Sequence, residues 1–250
     1  MNTPAHLPDA QTLYGVVEAT WPAFANRELG PWIIRDGRGG GKRVSAATAH
    51  GPSKADDLPA AEAAMRALGQ APRFMIRADD SDLDDLLAQA GYEVIDPVNM
   101  YVAPIAPLIT QPPPRIASYN IWPPMAIQCE IWAEGGIGPA RIDVMNRAPE
   151  PKTALLGRDS NRAAATGFAA IHNGIAMVHA LEVHKRHRRR GMGRYLMVEA
   201  ALWAAQHGAQ YMSVICTRAN AGANALYSTN LGMTLVGQYH YRQLSDGETS

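Results

Sequence analysis

A basic run that ends in two glycines lies between two apolar segments in the second half of the chain. The residues from Arg188 to Gly193 read Arg-Arg-Arg-Gly-Met-Gly. The apolar run 175–183 before them is typical of a buried strand, and residues 191–207 after them are typical of a helix that ends at Gly208. This order of strand, glycine loop and helix is a building unit of α/β folds.

The segments around this unit predict a mixed, mostly antiparallel central sheet flanked by helices. Asn173-Gly174 lies between two apolar runs, and such a pair is a strong signal for a hairpin. The other predicted elements of this half are helices 125–134, 140–147 and 221–230 and strands 153–157, 164–171, 211–217 and 233–242. Antiparallel strands followed by strand–helix–strand units indicate an α/β (α+β) fold.

A proline-rich segment, residues 104–114, divides the chain into two halves. Its prolines fix φ and donate no backbone hydrogen bond, so we expect an extended linker. The sequence therefore predicts one domain over 1–103 and a second over 115–250. The elements predicted in the first half are helix 13–24, strands 30–35 and 43–48 joined by the turn 36–41, helix 58–68, strand 73–77, helix 81–90 and strand 92–95.

Composition excludes several classes of function. The chain has 23 Lys and Arg and 23 Asp and Glu, and this neutral balance argues against wholesale binding to nucleic acid or to an anionic membrane. Cys129 and Cys216 lack partners at metal-ligand or redox spacing, so no metal site is expected. The N-terminus does not resemble a secretory signal and no apolar run is long enough to span a bilayer, so we expect a cytoplasmic protein.

The glycine loop has the features of an anion site. Gly191 and Gly193 let successive backbone N–H groups face one point, and the N-terminus of the following helix adds partial positive charge. The arginines add charge-assisted donors. No Lys-Ser or Lys-Thr follows, so the loop differs from a nucleotide P-loop and suits a pyrophosphate. The alternative interpretation is a solvated basic run, or a weak nucleic-acid patch, over 184–190.

Two motifs together resemble the GCN5-related N-acetyltransferase (GNAT) family. Arg188-x-x-Gly191-x-Gly193 is similar to that family's Arg/Gln-x-x-Gly-x-Gly/Ala signature. Downstream, Asn220-x-x-Ala223-x-x-Leu226-Tyr227 and then Leu231-Gly232-Met233 resemble its second motif, with Met233 in place of the usual Phe. The segment 181–183 matches the strand before the loop. The resemblance covers about residues 120–242.

The resemblance implies that acetyl-CoA is the co-substrate, without a metal. It implies that the backbone of the last strand pairs with the pantetheine arm, that the glycine loop wraps the pyrophosphate, and that an asparagine contacts the arm. The cofactor-binding residues implied in this way are Leu181, Val183, Arg188, Arg189, Arg190, Gly191, Met192, Gly193, Arg194 and Asn220.

Three residues are candidates for catalysis. Tyr227 matches the tyrosine that often protonates the leaving thiolate in this family, although a structural aromatic is the alternative. His179 lies in a stretch that resembles the serotonin N-acetyltransferase branch, where a histidine serves proton removal; the alternative is a buried structural histidine. Glu182 is a second candidate base, or merely a surface acid.

The first half echoes the second without its loop. Residues 82–95 resemble residues 223–236, with Gly91 on Gly232, but this half has no Arg-x-x-Gly-x-Gly motif. A degenerate tandem copy of the same fold and an unrelated α/β domain are both open. We expect an enzyme that acetylates a primary amine; a non-catalytic acyl-CoA-binding or regulatory module is the alternative. The acceptor, the acyl length and the choice between monomer and homodimer stay open.

Overall fold

A computed structural model of the protein describes residues 6–244. Its helices are α1 (Ala10–Thr20), α2 (Lys42–Ser45), α3 (Leu58–Ala67), α4 (Ser81–Gln89), α5 (Ile105–Leu108), α6 (Ala126–Glu134), α7 (Pro139–Arg147), α8 (Met192–Gln206) and α9 (Ala221–Ala225). Its strands are β1 (Ala25–Leu29), β2 (Trp32–Asp36), β3 (Thr48–Ala49), β4 (Arg73–Ile76), β5 (Tyr92–Pro104), β6 (Ser118–Ile121), β7 (Lys152–Asp159), β8 (Arg162–His172), β9 (Ile175–Val183), β10 (Tyr211–Thr217) and β11 (Thr234–Leu244). A 3-10 turn follows β9, and a π-helical turn, Leu226–Asn230, follows α9.

The chain forms two compact units that are not simple halves of the sequence. The first unit contains the residues up to Pro22 together with Met100–Cys216 and Asn220–Gly237. The second unit contains Ala23–Asn99, Thr217–Ala219 and the described residues from Gln238 to Leu244. Strands β5 and β11 therefore contribute residues to both units.

The first unit is built on a mixed sheet in the order β11–β5–β10–β9–β8–β7–β6. The pairs from β6 through β9 are antiparallel, and β9 pairs with β10 in parallel. Helix α8 covers one face, where Leu196 and Ala200 pack with Val178 and Val214 in a continuous core. Helices α1 and α6 contact β8 and β9 from the other face. Side chains alternate along a strand, so the two faces of the sheet each present a set of side chains to the helices that cover them. The predicted fold, a mostly antiparallel sheet flanked by helices, is confirmed.

The second unit has its own core. Strands β1, β2 and β3 form an antiparallel sheet, and β4 pairs with the end of β11. The core is aromatic: the ring centroid of Phe74 lies 4.9 Å from that of Trp32 and 5.5 Å from that of Tyr92. Met65 of α3 and Leu87 of α4 are fully buried beside these rings.

The predicted hairpin of strands 30–35 and 43–48 is only partly present. Strand β2 pairs with the short strand β3 through Ile33 and Thr48, but it also pairs with β1, and residues 42–45 form the helical turn α2. The glycine-rich loop folds back onto this turn, since a Cβ on Gly37 would lie 2.9 Å from the carbonyl oxygen of Val44. Val44 is 1% exposed, so tertiary burial rather than strand pairing decides its conformation.

The predicted linker 104–114 is not extended throughout. Ile105 and Leu108 lie on the helical turn α5 and are buried in the core of the first unit. The predicted division into 1–103 and 115–250 also differs from the compact units, because α1 packs on β8 and the buried segment Met100–Ala103 belongs with the second half. A tandem origin of the two units stays a prediction.

Candidate active site

Strands β9 and β10 separate before either strand ends. Their parallel ladder runs from Ile175–Tyr211 to Val178–Val214, whereas β9 continues to Val183 in pairing with β8. The register against β8 shifts at this point, and Ala180 has a φ of 49°, so β9 carries a bulge. The end of β9 therefore presents a backbone edge toward the gap between the two strands.

The N-terminus of α8 lies directly after this strand and its basic loop. Gly191 is the N-cap residue in a left-handed conformation, with a φ of 81°, and no side chain caps the helix. The first helical hydrogen bond runs from Tyr195 N–H to the Gly191 carbonyl at 3.0 Å. The N–H groups of residues 192–194 precede that bond, so they are available to an anion, which the helix dipole also favours.

Gly193 joins three predicted motif segments. A Cβ at this position would lie 2.9 Å from Cδ2 of Leu226 and 3.9 Å from Cδ2 of Leu181. The start of α8 therefore contacts both the end of β9 and the turn that carries Tyr227. The absence of a side chain at Gly193 is what permits this approach.

The arginines of the loop are held by neighbouring acceptors. Arg188 donates from Nε to the Val183 carbonyl and from Nη2 to Glu182 Oε1, both at 3.0 Å. Arg190 donates to Asp159 Oδ2 at 2.9 Å, and Arg194 donates to Gln111 at 3.0 Å. The side chains of Arg188 and Arg190 are 54% and 57% exposed, so they keep donors for a ligand.

Asp159 anchors the loop from the end of β7, a role that the sequence did not predict. Its Oδ2 lies 2.7 Å from His187 Nδ1 and 2.9 Å from Arg190 Nη1. The hydrogen bond from His187, with further help from Arg190 and Ser160, lowers the pKa of the Asp159 carboxyl. The only signal in the sequence was an Asp-Ser-Asn turn, which is typical of any tight hairpin.

Tyr227 lies on the π-helical turn that follows α9, with its side chain in the core. Its side chain is 3% exposed and its ring centroid lies 5.9 Å from that of Tyr101. Burial, together with the nearby Cys216, raises the pKa of the Tyr227 phenol well above its ordinary value. The phenol therefore keeps its proton at neutral pH and can act as a donor.

His179 lies inside the protein rather than in a cleft. It is 4% exposed, its ring centroid lies 5.0 Å from that of Trp21, and its Nε2 lies 2.8 Å from Thr20 Oγ1. The single Thr20 hydroxyl proton goes to the Val16 carbonyl at 2.6 Å, so His179 Nε2 carries a hydrogen and donates it to Thr20. These contacts favour the structural interpretation of His179.

Glu182 lines an open cavity of about 480 Å³ at the C-terminal end of α6. The side chain fills the space over Gly135, where a Cβ would lie 2.6 Å from Glu182 Cγ. The residues that line the cavity are Ile131, Glu134, Gly135, Glu182, His184, Lys185, Arg186 and Arg188. Glu182 therefore has access to a small molecule, which His179 does not.

Comparison with known proteins identifies the region that holds these residues. Residues 123–233 match the family model described as the Acetyltransferase (GNAT) family. The chain carries a GNAT-family acetyltransferase domain. The uncharacterized N-acetyltransferase YobR of Bacillus subtilis (strain 168) is 25% identical over 250 residues, which cover 94% of this chain and 99% of YobR.

Solved structures share the fold along nearly the whole chain. A GCN5-related N-acetyltransferase from Kribbella flavida aligns with a TM-score of 0.66 and 18% identity over 96% of this chain and 97% of its own. A tandem GNAT protein from the clavulanic acid biosynthesis pathway aligns with a TM-score of 0.56 and 12% identity over 82% of this chain and 76% of its own. The GNAT-like fold is therefore shown.

Within the GNAT domain, Asn220 serves a local role. Its side chain accepts a hydrogen bond from the Ala223 N–H at 3.1 Å and so caps α9. The sequence did not predict a place for Asn224 or Tyr101 near this turn. Asn224 accepts hydrogen bonds from the Tyr101 hydroxyl at 2.9 Å and from the Cys216 thiol at 3.5 Å. Tyr101 is 123 residues away in sequence, so no local pattern connects it with this site.

The thiol of Cys216 is a weak nucleophile. Burial raises the pKa of Cys216 to about 11, so the thiolate is scarce at neutral pH. In the described range 6–244, no group of three or more His, Cys, Asp and Glu side chains is arranged to hold a metal ion. Over the same residues, no helix is long and apolar enough to cross a bilayer.

Proposed function

We propose that the GNAT domain transfers an acetyl group from acetyl-CoA to a primary amine by direct transfer in a ternary complex. One observation carries the proposal: the open backbone edge of β9 leads directly to the N-terminus of α8, which no side chain caps. An extended arm that ends in a diphosphate fits this sequence of sites, because a strand edge offers paired donors and acceptors and a helix N-terminus favours anions.

Different residues of the GNAT domain bind different parts of acetyl-CoA. The backbone of Leu181 and Val183 pairs with the pantetheine arm, and residues 188–194 hold the diphosphate through their N–H groups and guanidinium groups. Asn220 fixes the turn beside the arm by capping α9. No side chain caps α8, so the N–H groups of its first turn are open to an anion, which supports this assignment.

The chemistry follows from the remaining groups. Acetyl-CoA supplies an activated acetyl thioester. Glu182 accepts the proton that the amine nitrogen loses as its bond to the acetyl carbon forms, and Tyr227 donates a proton to sulfur as the carbon–sulfur bond breaks. Backbone N–H groups at the end of β9 stabilise the negative charge that develops on the carbonyl oxygen. Glu182 is preferred over His179 as the base because it lines the cavity.

An amine screen with thiol detection tests the proposal. The full chain is mixed with acetyl-CoA and single primary amines, and free coenzyme A thiol is followed over time. We expect thiol release that depends on one class of amine and falls on Glu182→Gln substitution. Binding of acetyl-CoA without thiol release for any amine would instead indicate a non-catalytic acyl-CoA-binding module.

A further inference from the structure

The cavity that Glu182 lines lies on the face of β9 opposite to α8. The side chains of Leu181 and Val183 pack with the core under α8. Successive side chains of a strand point to opposite faces of the sheet, so the side chain of Glu182, between them, points to the other face. Glu182 therefore points toward α6, where it contacts Gly135. The end of β9 thus lies between the start of α8 and this cavity, and Arg188 is the residue that the two sites share.

Charges of opposite sign lie around the same cavity. One part is acidic: Glu182 accepts from Arg188, and Glu134 lies 3.1 Å from His184 Nε2. His184 is a neutral donor in this pair, because its Nδ1 accepts the Arg186 N–H at 3.2 Å and its hydrogen is therefore on Nε2. His184 thus leaves the charge of Glu134 in place.

The other part of the rim is basic. Lys185 and Arg186 lie on the 3-10 turn after β9, and both side chains are exposed. Ile131 adds an apolar surface to the lining. A cavity of about 480 Å³, lined mainly by charged side chains and by Ile131, is the size that small-molecule ligands occupy.

We propose that the acceptor is a small primary amine that also carries an anionic group, either a carboxylate or a phosphate monoester. Glu182 and Glu134 attract the amine nitrogen, and Lys185 and Arg186 attract the anionic group. An amine without the anion would leave the two cations without a partner, and an anion without the amine would face two carboxylates. The inference rests on the proposed function, because it names the substrate class of the same site.

Matched amine pairs test the inference. Thiol release is measured with β-alanine and β-alaninamide, with 4-aminobutyrate and 4-aminobutanamide, and with phosphoethanolamine and ethanolamine. The first two pairs report a carboxylate and the third reports a phosphate. Since two exposed ion contacts together contribute modestly, we expect kcat/KM to be about tenfold higher for the anionic member of at least one pair.

A charge-removing double variant then assigns the preference to residues. Lys185→Ala with Arg186→Ala should bring the ratio of kcat/KM within the preferred pair close to one. The charge-conserving double variant Lys185→Arg with Arg186→Lys should keep the ratio. The matched control, Arg115→Ala with Arg162→Ala, removes two exposed cations elsewhere in the same unit and should also keep the ratio.

The affinity for coenzyme A distinguishes a role of Lys185 and Arg186 in the cavity from a role in the diphosphate site. The variant without Lys185 and Arg186 should bind coenzyme A within about twofold of the unsubstituted protein by calorimetry, because a change of that size is near the limit of what two remote charges contribute. A large loss of coenzyme A affinity with an unchanged amine ratio would overturn the inference and assign both cations to the cofactor.

The outcomes separate the inference from the proposed function. Equal rates within all three pairs would overturn the inference and leave an amine acetyltransferase. Absence of thiol release with every amine would overturn the proposed function and the inference with it. Higher rates for the uncharged members would show that the site rejects anions, which also overturns the inference.

Discussion

Gly193 lies where three segments of the site meet. Gly193→Ala adds a Cβ within 2.9 Å of Leu226 Cδ2, so Leu226 and the turn that carries Tyr227 must shift. We expect a loss of about 1–3 kcal/mol in the free energy of unfolding and a Kd for coenzyme A that rises about tenfold. Denaturant unfolding and calorimetry measure the two quantities.

Gly15 provides the matched control for this substitution. It lies on the exposed face of α1, and a Cβ there would have nothing within 4 Å. Gly15→Ala should therefore raise the free energy of unfolding by about 0.5–1 kcal/mol and leave coenzyme A binding unchanged. Equal effects of the two substitutions would contradict the packing role of Gly193.

The hydroxyl of Tyr227 is the proposed proton donor to sulfur. Because burial raises the pKa of Tyr227, the phenol stays protonated through neutral and mildly alkaline pH, so it should cause no fall in kcat over that range. Tyr227→Phe should lower kcat about 100-fold without changing the Kd of coenzyme A. Tyr101→Phe is the control, since it removes a neighbouring hydroxyl, which donates to Asn224, and keeps the ring beside Tyr227. An equal kcat for both variants would contradict the role of Tyr227.

Asp159 ties the basic loop to the end of β7. Its pKa is lowered in the folded protein, so its contribution is present above the ordinary carboxyl pKa and is lost as pH falls through the lowered value. At neutral pH, Asp159→Asn should weaken coenzyme A binding several-fold, because His187 and Arg190 lose the negative charge of their common acceptor. The difference in stability between the two proteins should vanish on strong acidification. A stability difference that grows with acid would contradict this assignment.

At the scale of elements, local patterns predicted the unit that carries the chemistry. The strand–loop–helix from β9 to α8 and the helix that starts after Asn220 follow from glycine spacing, capping and apolar periodicity, all within a few residues. The contact between Thr20 and His179 joins residues 159 positions apart, and the burial of Val44 depends on a loop that folds back onto it. Neither has a signature in nearby residues, so the sequence could not predict them.

The hydrogen bond between Thr20 and His179 joins helix α1 to strand β9. Thr20→Val keeps the shape of the side chain and leaves the Nε2 hydrogen of His179 without this acceptor. We expect a loss of about 1–3 kcal/mol in the free energy of unfolding. In a double-mutant cycle with His179→Phe, the second substitution should cost less than it does alone, which denaturant unfolding can measure.

The same cycle distinguishes the two interpretations of His179. A structural histidine predicts that kcat and its pH profile change little in Thr20→Val. A large fall in kcat confined to low pH, with stability intact, would instead show that His179 is the base.

At the scale of the whole molecule, the first unit is assembled from distant parts of the chain. It needs α1, with buried Leu13 and Val16, and the segment Met100–Ala103 in addition to the residues of the GNAT domain. The fragment 115–250 lacks both, so it should not show a cooperative thermal transition, whereas the full chain should. Circular dichroism on heating measures this. Cooperative unfolding of the fragment with retained coenzyme A binding would restore the division predicted from the proline-rich segment.

Calorimetric titration of the full chain with coenzyme A measures whether the start of α8 binds a diphosphate. We expect the diphosphate to lie on the N–H groups at the start of α8 and on the arginines before it. Binding should be saturable at one coenzyme A per chain, and pantetheine, which lacks the diphosphate, should bind at least about tenfold more weakly. No heat of binding with coenzyme A, or equal affinity for pantetheine, would contradict this expectation.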